Sequence, residues 1–206
     1  MKKRDAVTML LAMALWAGCS SGPATPAEKP QPKAAEFITG RAAFQKLYGA
    51  AHGWAPDAEP FRIESLPTAD CKGQGGKAAV WRASFASALQ HNAKPYDWSG
   101  TDAPGAPSRG VSPGVEDSYT ASNSSTRLFQ VGFLKVDSDH AFEQAQKHGG
   151  DKLLQKNPDT PVLYLLDWSS PTNALVWHVF YGPSREDAKL KVDLNATTGE
   201  FMGVEK

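Results

Sequence analysis

The sequence predicts an α+β fold made of two fused units, each a helix laid against an antiparallel sheet. Three observations carry this. Residues 41–48 (RAAFQKLY) and 139–146 (DHAFEQAQ) echo one another, with apolar side chains at helical spacing in both. Val80-Trp81 and Val176-Trp177 sit in strand-like runs 96 residues apart, and Asp97 and Asp193 keep the same offset without a gap. Finally, residues 189–194 alternate, reach the turn Asn195-Ala196-Thr197-Thr198-Gly199 and return over 200–204, a hairpin pattern.

Taken in order, Phe44, Leu47, Tyr48 and Ala51 mark the apolar stripe of the first helix. Phe142, Ala145, Leu153 and Leu154 mark that of the second. Thr39 and Ser138 stand where N-caps belong. Pro56-Asp57 then Pro60, and Pro158-Asp159 then Pro161, turn both helices into extended chain. The run 61–66 answers 162–168, and 79–85 answers 175–181. In the first half the third strand is Tyr96-Asp97-Trp98. The 28 residues 99–126, half of them Gly, Pro or Ser, separate it from a returning strand over 127–134. Because the other copy closes its hairpin with a short turn, 99–126 is expected to be an inserted flexible loop. In the run 175–181, Leu175, Trp177, Val179 and Tyr181 face one way and Val176, His178 and Phe180 the other. One helix covers one face, so the second face is expected to pack on the other half or to bind something.

The N-terminus has its own logic. Lys2, Lys3 and Arg4 precede a 12-residue run, Ala6 to Ala17, too short for the roughly 20 residues of a membrane span. It therefore reads as the core of a secretory signal. The ending Ala17-Gly18-Cys19 resembles the lipobox of bacterial lipoproteins, which implies cleavage before Cys19 and lipid on its thiol. By the same resemblance, Ser20 in place of Asp favours the outer membrane. Residues 20–36 hold four prolines among 17 residues and no large apolar side chain, the composition of a disordered tether. The expected organisation is thus a signal peptide over 1–18, a tether over 19–36, a first α+β unit over 37–136 and a second over 137–206.

Composition narrows the function classes. Lys+Arg and Asp+Glu number 22 each; removal of 1–18 takes three basic residues and one acidic, leaving 19 against 21, net −2. Nucleic-acid binding needs a basic excess that is missing here. Of the two cysteines, Cys71 loses its only possible intramolecular partner once Cys19 is lipidated. Attachment to the membrane would come from that lipid, with no basic surface required.

The C-terminal unit, roughly 137–206, is similar to the PepSY domain family. The likeness rests on a helix ending near Gly149-Gly150, the Trp177-His178-Val179 strand, and the closing run Val192-Asp193-Leu194-Asn195-Ala196-Thr197-Thr198-Gly199-Glu200. The resemblance implies a non-catalytic envelope module that binds ligands or regulates peptidases, with no catalytic residues and no cofactor to carry over.

No zinc-protease, nucleophile-elbow, P-loop or dinucleotide motif occurs in the chain. His140 and His148 are eight apart on one expected helix, about 80° from alignment, where a solvated face is favoured over a metal site that would need a third, unseen ligand. Trp81 and Trp177 hold equivalent core positions. Trp98 and Trp168, at strand ends near loops, and His178 are the candidate contacts for a ligand or partner. The expectation is a lipid-anchored binding module without enzymatic activity, its partner an envelope protein such as a peptidase. The alternatives are an envelope hydrolase using His178 or His91 with a carboxylate between the halves, or a carrier of a small ligand or lipid.

Overall fold

The computed structural model describes residues 33–205, so the signal segment 1–18, Cys19 and tether residues 20–32 lie outside the described residues. The described chain is α+β. In order it forms β1 (Ile38–Thr39), α1 (Gly40–Trp54), β2 (Glu59–Ser65), β3 (Lys77–Ala78), β4 (Val80–Ser87), β5 (Asn92–Ser99), β6 (Gly110–Pro113) and β7 (Asp117–Ser118). Then follow α2 (Ser138–Ala145), α3 (Asp151–Lys156), β8 (Val162–Ser169), β9 (Ala174–Tyr181), β10 (Leu190–Asn195) and β11 (Phe201–Glu205).

The two halves join edge to edge. The main sheet runs β11-β10-β9-β8-β2-β4-β5-β6, antiparallel throughout, with β7 sharing the outer edge of β5. The first strand of each half meets the other at the centre, where Glu64 pairs with Leu165 and Arg62 with Asp167. The repeat is thereby converted into a near-twofold arrangement. Trp81 pairs with Trp98 as Trp177 pairs with Leu194, and Arg82 pairs with Asp97 as His178 pairs with Asp193.

Alternation puts one face of this sheet under the helices. Ala43, Phe44, Leu47 and Ala51 of α1 and Ala141 and Ala145 of α2 close on Ile63, Trp81, Phe85, Tyr164, Leu166, Trp177, Val179 and Val192. Trp81 and Trp177 meet edge to face at 6.4 Å. Each indole N–H donates to the chain just before a helix, Trp81 Nε1 to Ile38 O and Trp177 Nε1 to Val136 O, both at 2.9 Å. These equivalent bonds satisfy the only polar atom of a buried tryptophan and tie each helix start to its own sheet.

Helix capping differs from the expectation. Thr39 precedes α1 but makes no side-chain cap; Gly40 N donates to Ser138 Oγ at 2.7 Å and Arg41 N to Asp137 Oδ1 at 2.9 Å. Ser138 is the first residue of α2, whose N-cap is Asp137. The two helix starts lie so close that one pair of polar side chains serves both. The second helix also does not end at Gly149-Gly150. It opens into a wide turn over 146–150, with Gly149 at φ 114°, and resumes as α3. A Cβ on Gly150 would lie 2.2 Å from Tyr181 Oη, so the break makes room for that hydroxyl, which accepts from Gln146 Nε2.

Four further expectations are corrected. The returning strand is not 127–134, whose only regular element is a short 3-10 turn at Val131–Phe133. The fourth strand position belongs to β6, and residues 110–113 and 117–118 pair with β5 instead of forming a flexible insertion. Residues 127–134 return across the sheet, with Phe129 N bonded to Pro60 O and Phe129 and Leu134 buried. The second sheet face does not pack on the other half, because the halves share one sheet. The last tether residues are engaged as well, Arg109 bonding Lys33 O and Glu36 N bonding Gly100 O.

The connection between β2 and β4 stitches the halves together. Lys72 O accepts from Val162 N, Gly73 O from Tyr164 Oη, and Lys72 pairs with Asp159. Gly76, at φ 75°, has to be glycine because a Cβ would lie 2.2 Å from Asp139 Cα. No helix of the described residues is long and apolar enough to cross a membrane.

Candidate functional site

The face away from the helices carries a charged ladder. Alternation points Asp97, Arg82, Glu64, Leu165, His178 and Asp193 outward as successive cross-strand partners over six strands, from β5 to β10. In the next row lie Ser84, Arg62, Asp167, Val176 and Asn195. Toward the β4–β5 turn this face is covered by Tyr119, Phe61 and Leu128 over Ala86 and Ala93. Among the described residues the helices pack on the opposite face, and none lies above the central rows.

His178 is the hub. It is 8% exposed and bonded on both ring nitrogens: Nδ1 with Asp193 Oδ1 at 2.7 Å, Nε2 with Asp167 Oδ1 at 3.2 Å. Glu205 Oε1 stands 3.8 Å from Nδ1. Arg62 lies 3.9 Å from Asp167, and Arg185 lies 4.0 Å from Glu205. Burial acts to lower the imidazole pKa, but the hydrogen bonds to Asp167 and Asp193 outweigh it and raise the pKa to about 9. Burial likewise acts to raise the Asp167 carboxyl, and the His178 bond with nearby positive charge brings it below its ordinary value. In the other half, Arg82 grips Asp97 through two bonds of 2.7 and 2.9 Å. Burial raises the Glu64 carboxyl against the pull of Arg62 and Arg82.

Beside this hub lies a groove of about 400 Å³. Leu163, Leu165 and Phe180 give it an apolar floor, and Arg62, Glu64, Arg185 and Glu186 flank it. Arg185 also sits over the Phe180 ring at 5.6 Å. Such a surface offers apolar contact with both signs of charge at its margins. A second groove, about 410 Å³, lies on the helix side between α1 (Arg41, Phe44, Tyr48) and residues Val131, Leu134 and Lys135.

The candidate residues come apart in space. Trp98 is 4% exposed within the core, so it offers no contact surface. Its strand-end position looked loop-like, but Gly100 and Glu36 close over it. Trp168 is half-buried and meets the exposed Phe133 edge to face at 5.4 Å, a small apolar patch apart from the ladder. His178 belongs to the ladder. His91 sits in the β4–β5 turn at φ 56°. His140 contacts Gln144 and Glu143, whereas His148 lies flat against Phe201 at 3.6 Å. Cys71 is half-buried with Sγ near Lys77 O, and burial pushes its thiol pKa up. Asp167, Arg62, Arg82 and Glu205 escaped sequence reasoning. The usable signal was that Arg82 and His178, like Asp97 and Asp193, are 96 residues apart.

Comparison with known proteins adds one likeness in fold. No protein-family model matches the chain, the PepSY family included, and no curated protein matches it in sequence. The chain is similar to the crystal structure of a protein from Clostridium difficile 630 described as a lipoprotein. The TM-score is 0.52 at 11% identity, covering 79% of this chain and 91% of that one. At that identity the likeness concerns the fold, which supports the α+β architecture.

In chemical terms, the hub is a charged cross-link. With both ring nitrogens donating to carboxylates, His178 has no free lone pair with which to take a proton from a substrate.

Proposed function

We propose that this chain is a lipid-anchored protein of the bacterial cell envelope that works by binding a protein partner and has no enzymatic activity of its own. The observation that carries the reading is the helix-free sheet face, where an apolar groove is bordered by Arg62, Glu64, Arg185 and Glu186. An extended segment of a partner fits such a surface: its apolar side chains reach Leu163, Leu165 and Phe180, and its charges meet the margins. Anchoring rests on the lipobox-like Ala17-Gly18-Cys19 and is supported by a similarly folded protein that is described as a lipoprotein. By the lipobox resemblance Ser20 favours placement in the outer membrane, and the reading has the domain face the periplasm. A peptidase is the partner suggested by the PepSY resemblance, in which case the docked segment belongs to the enzyme that is held in check.

The hydrolase alternative draws on the His178–Asp193 distance of 2.7 Å. Against it stands the engagement of Nε2 by Asp167. The carrier alternative asks for an enclosed apolar space, whereas this groove is bordered by four charged side chains.

The test is chemical cross-linking of the anchored chain in its native envelope, followed by mass spectrometry of the detergent extract. The expected result is acylated Cys19 together with one enriched envelope protein whose yield falls at least fivefold in an Arg62→Glu, Arg185→Glu double variant. Unmodified Cys19, or enrichment indifferent to the double variant, contradicts the reading.

A further inference from the structure

Glu205 is placed oddly for a simple ion pair. His178 Nδ1 carries one hydrogen, and Asp193 takes it at 2.7 Å. Glu205 Oε1, on the neighbouring strand, faces the same nitrogen from 3.8 Å, beyond hydrogen-bonding range. Arg185 stands 4.0 Å from Glu205, and Lys191 is its cross-strand partner. One imidazole nitrogen with two carboxylate oxygens gathered round it is a donor set that a divalent ion can use in place of the proton.

We propose that His178 Nδ1, Asp193 and Glu205 form a binding site for a divalent transition-metal ion of the zinc class, with Asp167 as the positioning residue. The three ligand atoms lie within 4.8 Å of one another. Tetrahedral zinc with bonds of about 2.0–2.2 Å separates its ligands by about 3.3–3.5 Å. Glu205 is therefore nearly in place, and Asp193 has to withdraw from Nδ1 by about 0.6–0.8 Å. Asp167 holds the Nε2–H and so fixes the ring orientation and the tautomer that exposes Nδ1, the role carboxylates play behind metal-bound histidines. Room exists on the open side, because the cross-strand partner of Asp193 is Gly203, where an added Cβ would meet nothing. One nitrogen and two carboxylate oxygens suit zinc better than magnesium, which prefers six oxygens and keeps its water.

On binding, the Nδ1–H bond breaks, Nδ1 donates its lone pair to the ion, and one proton passes to solvent. The Nε2–H stays on Asp167. Arg62, Arg185 and Lys191, the cross-strand partner of Glu205, are the positive groups around the site. The two carboxylate ligands and Asp167 offset them.

The test is calorimetric titration of the full, chelator-treated chain in detergent with zinc chloride and, separately, magnesium chloride. One zinc per chain is expected, with no saturable magnesium binding at the same concentrations. Glu205→Gln and His178→Gln should each weaken zinc at least tenfold. Asp167→Asn should weaken it by about 10-fold, and nitrogen NMR of the zinc-free chain at high pH should show the neutral ring shifted toward the Nδ1–H tautomer that Asp193 accepts. Glu205 is partly exposed at the end of an edge strand, so its variant tests the site without disturbing the core. His140→Gln and His148→Gln should leave the affinity unchanged. Absence of saturable zinc binding, full affinity in Glu205→Gln, or loss of zinc with either His140 or His148 overturns the proposal.

Discussion

Gly40 shows how tightly single residues are specified at the centre of this molecule. A Cβ there would lie 2.7 Å from Trp177 Cη2 and 3.1 Å from Trp81 Cη2, so the helix start rests directly on both indoles. Gly40→Ala should therefore destabilise the protein by about 1–3 kcal/mol through overpacking, measured as a lower urea midpoint at unchanged slope. His178 is specified by charge. Its folded pKa of about 9 lies above the ordinary value of 6.5, so the folded state holds the proton more tightly than the unfolded chain. The stabilisation this provides is complete below pH 6.5, declines as the pH rises and is lost as it passes about 9. In metal-free protein, denaturation across pH 6 to 10 should show that decline, and His178→Gln should remove it. A flat profile in the parent chain would contradict the His178 network.

Among the elements, the helix starts are the clearest case of a local rule overridden by tertiary contact. Thr39 and Ser138 carry the residue types of N-caps, yet Asp137 Oδ1 accepts from both Arg41 N and Ser138 N. Asp137→Ala should uncap α1 and α2 together and cost about 1–2 kcal/mol, with loss of helical circular dichroism near the transition. β6 is the element that sequence patterning could not find. Gly110-Val111-Ser112-Pro113 has one β-favouring residue and owes its extended form to the free edge of β5. The run 127–134 looked better, with Leu128, Phe129, Val131 and Phe133, but two of its apolar side chains are used elsewhere, Leu128 over Ala86 and Phe129 in the main core. Hydrogen exchange should accordingly find residues 110–113 protected to a degree comparable with 201–205. Fast exchange throughout 99–126 would restore the picture of a flexible insertion.

At the scale of the whole molecule, the repeat was legible and its closure was not. Trp81 and Trp177, Asp97 and Asp193 share one offset, and together with the echo of 41–48 in 139–146 this revealed two similar halves. That β2 and β8 pair at the centre depends on the free edges of both halves together, which no local window contains. The same limit hid the Arg62–Asp167 pair, whereas His178 meets its three carboxylates within the second half, once β8 to β11 have paired in succession. Because one buried cluster joins side chains of both halves, with Trp81 against Trp177 at its centre, neither half retains its whole core alone. Thermal unfolding should be a single cooperative transition, and a fragment of residues 137–206 should lack fixed tertiary structure by near-ultraviolet circular dichroism. The central claim is that a protein partner docks on the helix-free face. It is tested most directly by a photo-reactive side chain placed at Leu163 in the anchored chain and, as a control, at Gln45 on α1. Illumination in the native envelope should give one discrete adduct from position 163 and none from 45; no adduct from 163, or equal adducts from both, contradicts the account.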